Sequence, residues 1–95
     1  MAIAYIFEVP SMTEDQSAAV LREIGLSDTP PPGQILHIEG PMEGGGTRVV
    51  DVWESQEALD AFVGGQLIPA ATRAGVTFPP DFGPKAVWPV SAILK

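Results

Sequence analysis

Ninety-five residues form a chain of single-domain size, and its formal net charge of −7, from 12 acidic and 5 basic side chains, gives it an acidic surface. Such a surface repels phosphate backbones and anionic lipid, and Arg22, Arg48, Arg73, Lys85 and Lys95 are scattered, so nucleic acid and membrane are disfavoured as partners. The absence of cysteine removes disulfides and thiolate metal sites, 45% hydrophobic content excludes a disordered chain, and no apolar run approaches the roughly 20 residues that span a bilayer.

Residues 2–9 (AIAYIFEV) are rich in β-branched and aromatic types and read as a strand that Pro10 ends. The same segment has no basic n-region and carries Glu8, which argues against a signal peptide and makes a cytoplasmic location the default expectation. Thr13-Glu14-Asp15-Gln16 is a capping box, so a helix is expected from there to about Ile24. Ser17, Val20, Leu21 and Ile24 share one buried stripe, and Gly25 suits a left-handed stop. DTPPPG at 28–33 reads as a stiff turn.

Residues 35–39 (ILHIE) and 47–53 (TRVVDVW) read as strands joined by the glycine-rich GPMEGGG at 40–46, hence as an antiparallel pair. Ser55 is an N-cap candidate for a second helix, with Glu57 in its first turn and Leu59, Phe62 and Val63 on its apolar stripe. Gly64-Gly65 weakens that helix, and Pro69 suits the first turn of a resumed segment that Gly75 closes. After a loop at 79–84 (PPDFGP), residues 86–94 (AVWPVSAIL) read as the last strand, with Pro89 marking an edge or bulge. The order β-α-β-β-α-β is that of a single ferredoxin-like α+β domain over 1–95, a four-stranded antiparallel sheet with two helices on one face.

A two-layer domain normally exposes a polar outer sheet face. Here Ile3, Tyr5, Phe7 and Val9 point one way and Ala4 and Ile6 the other. Val49 and Trp53 oppose Val50 and Val52, and Trp88 and Val90 oppose Val87. Both faces are apolar, two helices cover only one, and a domain this small is marginal alone. A two-fold homodimer, sheet against sheet, is the expectation.

The stretch VVDVWESQEALDAF at 49–62, within this element order, resembles the antibiotic-biosynthesis-monooxygenase-like domains of the dimeric α+β barrel superfamily. The resemblance implies that barrel and a range of activities: cofactor-independent monooxygenases, haem-degrading enzymes, isomerases, cyclase-like members and ligand-sensing domains. It also implies what is missing. Haem-degrading members place Trp where this chain has Phe62, His where it has Thr72, and Asn where it offers Phe7 and Glu8, which argues against haem degradation.

His37 is the sole histidine, a candidate general base or hydrogen-bond partner, or else a sheet histidine satisfied by a neighbour or by solvent. Alternation groups Ile35, His37 and Glu39 on one face, and Val49, Asp51 and Trp53 on another. If these faces coincide, Asp51 orients His37; the alternative is a dimer-face ion pair of Asp51 with Arg48 or another arginine of the partner. Tyr5 is a candidate hydrogen-bond donor or a packing residue. Trp53, Trp88, Phe7 and Phe62 are candidates for ligand contact, the two tryptophans also for core or interface anchors. The expected function is a homodimeric, cofactor-free monooxygenase-like or cyclase-like enzyme acting on a hydrophobic aromatic or polyketide-type small molecule, with His37, Asp51 and Tyr5 as its catalytic set. The alternatives are a non-catalytic homodimer that binds a small ligand, and an interaction module whose acidic surface recruits a basic partner.

Overall fold

A computed structural model describes residues 1–25 and 30–94 of the chain. The strand expected from AIAYIFEV is β1 (Ile3–Val9), followed by α1 (Glu14–Ile24), β2 (Gln34–Pro41) and β3 (Thr47–Trp53). The capping box closes as its residues require: Thr13 Oγ1 accepts from the Gln16 amide at 3.1 Å, and Gln16 Oε1 accepts from the Thr13 amide at 2.9 Å. Gly25 ends the helix with φ of 90°, a left-handed conformation open to glycine at little cost. Of the stiff turn expected at 28–33, residues 28 and 29 lie outside the described residues; the rest turns into β2, with the Gln34 amide on the Pro31 carbonyl at 3.1 Å.

The second helix runs over 56–73 in three stretches: α2 (Gln56–Phe62), a π-helical turn (Val63–Leu67) and α3 (Ile68–Arg73). Ser55 caps it by accepting from the Ala58 amide at 3.1 Å. Pro69 lacks an N–H, and in a regular helix its ring would collide with the carbonyl of Gly65. One wide turn, with the Ile68 amide bonded to the Val63 carbonyl, gives that ring room, and the flexible Gly64-Gly65 pair absorbs the change. The sequence places the interruption; its form is a π turn rather than a break.

The strands form one antiparallel sheet in the order β2-β3-β1-β4, with β4 spanning Ala86–Pro89. The last strand is shorter than the expected 86–94. Pro89 cannot donate to the ladder, β4 is an edge strand, and beyond it the Val90 amide bonds the Ala2 carbonyl at 2.8 Å. Among the described residues no helix is long and apolar enough to cross a membrane.

The helices cover the face that carries Tyr5, Phe7, Val9, Val49 and Trp53, where Val20, Leu59, Ala70 and Ala71 complete the core. On the opposite face the register aligns Ala4, Val52 and Leu36 in one row, with Trp88 beside Ala4, and Ile6, Val50 and Ile38 in the next. Ala4 and Val52 are buried by their neighbours, but Leu36 is 44% exposed, Ile38 55% and Trp88 43%. Among the described residues no helix covers these rows. Arg48 bonds Glu8 through two nitrogens at 2.7 and 2.9 Å, in register with it across β1 and β3. Within the chain Arg48 is thus paired with Glu8 rather than with Asp51.

Candidate functional site

The core divides into two clusters that share Phe82, one around Val9, Val20 and Ala71, the other around Tyr5, Val49 and Trp53. Between them, under the sheet, lies a cavity of about 380 Å³, within the range of small-molecule sites. Its walls are mostly apolar. Phe7 stacks on Phe82 with ring centroids 5.5 Å apart, and Phe82 meets Phe78 at 4.7 Å. Phe62, Val63 and Leu67 close the helical side, so the π turn lies along the cavity wall.

The polar part of the wall follows from strand pairing. The loop at 42–46 carries three glycines with positive φ and closes on a Met42 amide to Gly46 carbonyl bond of 3.0 Å. This hairpin fixes β2 against β3 so that His37 stands opposite Asp51, and β1 brings Tyr5 opposite Asp51 on its other side. His37 Nδ1 lies 2.6 Å from Asp51 Oδ1, and its Nε2 lies 3.3 Å from Glu39 Oε2. The Trp53 indole N–H donates to Asp51 Oδ2 at 3.2 Å, and the Ser17 hydroxyl, from α1, donates to Glu39 Oε1 at 2.7 Å. The result is a chain of five side chains, Ser17, Glu39, His37, Asp51 and Trp53, with the imidazole at its centre.

Both imidazole nitrogens face carboxylates, which accept and cannot donate when ionised, so the ring is best satisfied with a proton on each nitrogen. The bond to Asp51, then that to Glu39, raises the His37 pKa from 6.5 to about 9 against the opposing effect of burial. The same bond from His37 lowers the Glu39 pKa, and the Ser17 hydroxyl lowers it further. At neutral pH His37 is thus a cation that already donates twice. In that form it has no lone pair with which to take a proton, so of the two roles expected for it, general base or hydrogen-bond partner, the geometry favours the second.

The sequence-based candidates separate into two groups. His37, Asp51, Phe7 and Phe62 line the cavity. Tyr5, Trp53 and Trp88 do not. Tyr5 is 1% exposed, its hydroxyl is held by Gln56 Oε1 at 2.6 Å, and burial raises its pKa. Trp53 is fully buried against Phe62, with centroids 5.3 Å apart, and acts on the site only through its bond to Asp51. Trp88 lies on the outer sheet face, away from the cavity. Thr72 donates back to the Ile68 carbonyl at 3.0 Å and is exposed.

Among the cavity residues absent from the sequence-based set are Ser17, Glu39, Phe78 and Phe82. Glu39 sits two positions after His37, on the same face by simple alternation. Ser17 is the one polar residue in the α1 stripe, a signal in itself. Phe78 and Phe82 come from the proline-rich segment before β4, where no periodicity points to a site. Among the described residues, no group of three or more His, Asp or Glu is placed to hold a metal ion.

An α+β ferredoxin-like sheet with an apolar cavity beneath it and a charged wall at one side defines the class of fold. Among solved structures, the chain is similar to the crystal structure of a protein from Chloroflexus aurantiacus J-10-fl, provisionally described as an antibiotic biosynthesis monooxygenase. The match has a TM-score of 0.62 at 15% identity and covers 98% of this chain and 97% of that one. The chain has the antibiotic-biosynthesis-monooxygenase-like fold, the one that the stretch at 49–62 resembles. No family model and no curated protein matches it.

Proposed function

We propose that the chain is a small homodimeric enzyme of the monooxygenase-like or cyclase-like kind, acting without a cofactor on a hydrophobic aromatic or polyketide-type molecule held under the sheet. The observation that carries this reading is the cavity itself: about 380 Å³, walled by Phe7, Phe62, Phe78 and Phe82, with one polar side. Stacked rings suit a flat apolar substrate. The His37 imidazolium, fixed by Asp51, holds Glu39 in place to accept from a substrate hydroxyl and so orient it. An oxygenation without a cofactor draws its electrons from the substrate: a ring methylene and O₂ give a ring carbonyl and water. Dimerisation is supported by the apolar rows around Leu36, Ile38 and Trp88.

The test is oxygen uptake with electron-rich hydroxyarenes, anthrones among them, followed by mass analysis of the product. His37→Ala should lower turnover by about 10²-fold or more, the scale of losing one preorganised group. Unchanged turnover removes His37 from the mechanism. One observation favours a second reading, a non-catalytic ligand-binding dimer: the polar groups of the wall satisfy one another, and among the described residues no buried side-chain nitrogen or oxygen lacks a partner. Saturable binding of such arenes with no turnover in any of them selects that reading.

A further inference from the structure

We infer that Glu39 is the polar anchor of the cavity, and that the ligand it selects is an apolar molecule bearing a hydrogen-bond-donating head, a hydroxyl or an ammonium, rather than an anion. This rests on the reading of the cavity as a small-molecule site and deepens it.

The members of the polar wall differ in what they have left to offer. Each ring nitrogen of His37 already faces a carboxylate oxygen. Asp51 is buried, with one oxygen on His37 and the other under the Trp53 indole. Ser17 gives its only hydroxyl proton to Glu39. Glu39 is different. A carboxylate has about four acceptor positions, and here one is taken by Ser17 and one by a long 3.3 Å contact with His37. Its side chain also keeps 26% exposure, against 9% for Asp51. By the same count Asp51 also keeps acceptor positions, but it is buried, so the acceptor capacity that a ligand can reach sits on Glu39. A ligand must therefore bring the donor.

Charge points the same way. Asp51 and Glu39 carry two negative charges against the one positive charge of His37, so the wall is net negative. Ser17 and Glu39 also line a second cavity, of about 280 Å³, whose further wall includes Glu14. Among the described residues, no lysine or arginine lines either cavity. A carboxylate or phosphate head would lose its hydration and meet a negative field. A hydroxyl or ammonium head would gain a charge-assisted bond, the stronger kind.

The test uses four probes with one aromatic body: naphthalene, 2-naphthol, 1-naphthylmethylammonium and 2-naphthoate, titrated at pH 7 into the full chain and into Glu39→Gln by calorimetry. In the native protein 2-naphthol and the ammonium probe should each bind about 10-fold or more tighter than 2-naphthoate, the scale of one hydrogen bond to a charged group. The larger of the two affinities tells a hydroxyl-selecting site from an ammonium-selecting one. In Glu39→Gln the preference should shrink at least about 5-fold, through weaker binding of the donor probes and stronger binding of the naphthoate. If naphthalene and naphthoate bind the native protein as tightly as the donor probes, the role of Glu39 is wrong and the cavity reading stands. If no probe binds, both fall. Because the native series decides the ligand class, a Glu39→Gln chain that fails to fold leaves the central comparison intact.

Discussion

Replacing Asp51 by asparagine removes the carboxylate that holds the shorter of the two His37 bonds, and the consequence should be read at the histidine itself. His37 is the only histidine, so its ring carbon proton can be followed through a pH titration by NMR without assignment. In the native protein the midpoint should fall near 9, against 6.5 for a free histidine. At about 1.4 kcal/mol per pH unit, that gap corresponds to about 3 kcal/mol of preference for the protonated folded state. Solvent reaches part of the ring and screens some of this, so about 2 kcal/mol is the expected contribution to stability.

The sign is fixed by the direction of the shift. A histidine whose pKa rises on folding contributes fully below 6.5, and the contribution is lost as pH rises through about 9. Glu39, lowered from 4.5 chiefly by the same histidine, contributes above 4.5 and loses that contribution in acid. Denaturant titrations should therefore show greatest stability between about 4.5 and 6.5, with a fall toward pH 9. Asp51→Asn should move the His37 midpoint down by at least about one pH unit and flatten the alkaline fall. A native midpoint near 6.5, or stability that does not change between pH 6.5 and 9, would falsify the imidazolium wall.

Three further outcomes follow from the packing. Gly46 has φ of 92°, and a Cβ there would sit 2.6 Å from the Pro10 Cα and 2.8 Å from the Val9 carbonyl oxygen. Gly46→Ala should cost about 2 kcal/mol or more in urea unfolding. Gly44→Ala, with φ of 88° but open space around it, should cost only about 1 kcal/mol, and equal costs would refute the close-approach argument. Trp53→Phe leaves Asp51 Oδ2 without its donor and should cost about 1–3 kcal/mol, with a change in the His37 midpoint that a purely apolar role for the indole would not produce. Ile38→Asp places charge on the uncovered sheet face. Light scattering should give twice the 10.0 kDa chain mass for the native protein and close to that mass for the variant; a native monomer would refute the dimer.

Much of this arrangement is legible in the residues, for identifiable reasons. Pro10, Thr13, Gly25, Ser55 and Pro69 each act through local chemistry, so the elements they bound fall where expected. Alternation placed Tyr5 with Phe7 and opposed both to Ala4 and Ile6, because a strand has a fixed period of two. It put His37 and Glu39 on one face, although a bulge between Gln34 and Leu36 breaks the pattern at the start of β2. The pairing of His37 with Asp51 needed the register, which depends on how the glycines at 44–46 close the hairpin.

What alternation cannot tell is depth. Tyr5 and Phe7 share a face, yet Phe7 meets the cavity while Tyr5 is sealed beneath Gln56. Trp53 and Phe62 are in contact, yet only Phe62 reaches the void. Which side chain fills space and which borders it depends on the helix above, and in particular on the π turn that widens at Val63–Leu67. Phe78 and Phe82 reach the site from outside any periodic element, carried by a loop whose path is set by tertiary packing.

The most direct measurement is a methyl NMR titration of the native protein with 2-naphthol. Val49, Leu59, Val63 and Leu67 line the cavity, while Ile38 and Val50 lie on the opposite sheet face. Saturable shifts at the first four, with Ile38 and Val50 unmoved, are the expected result. Shifts confined to Ile38 and Val50, or none at any of the six, would contradict a small-molecule site beneath the sheet.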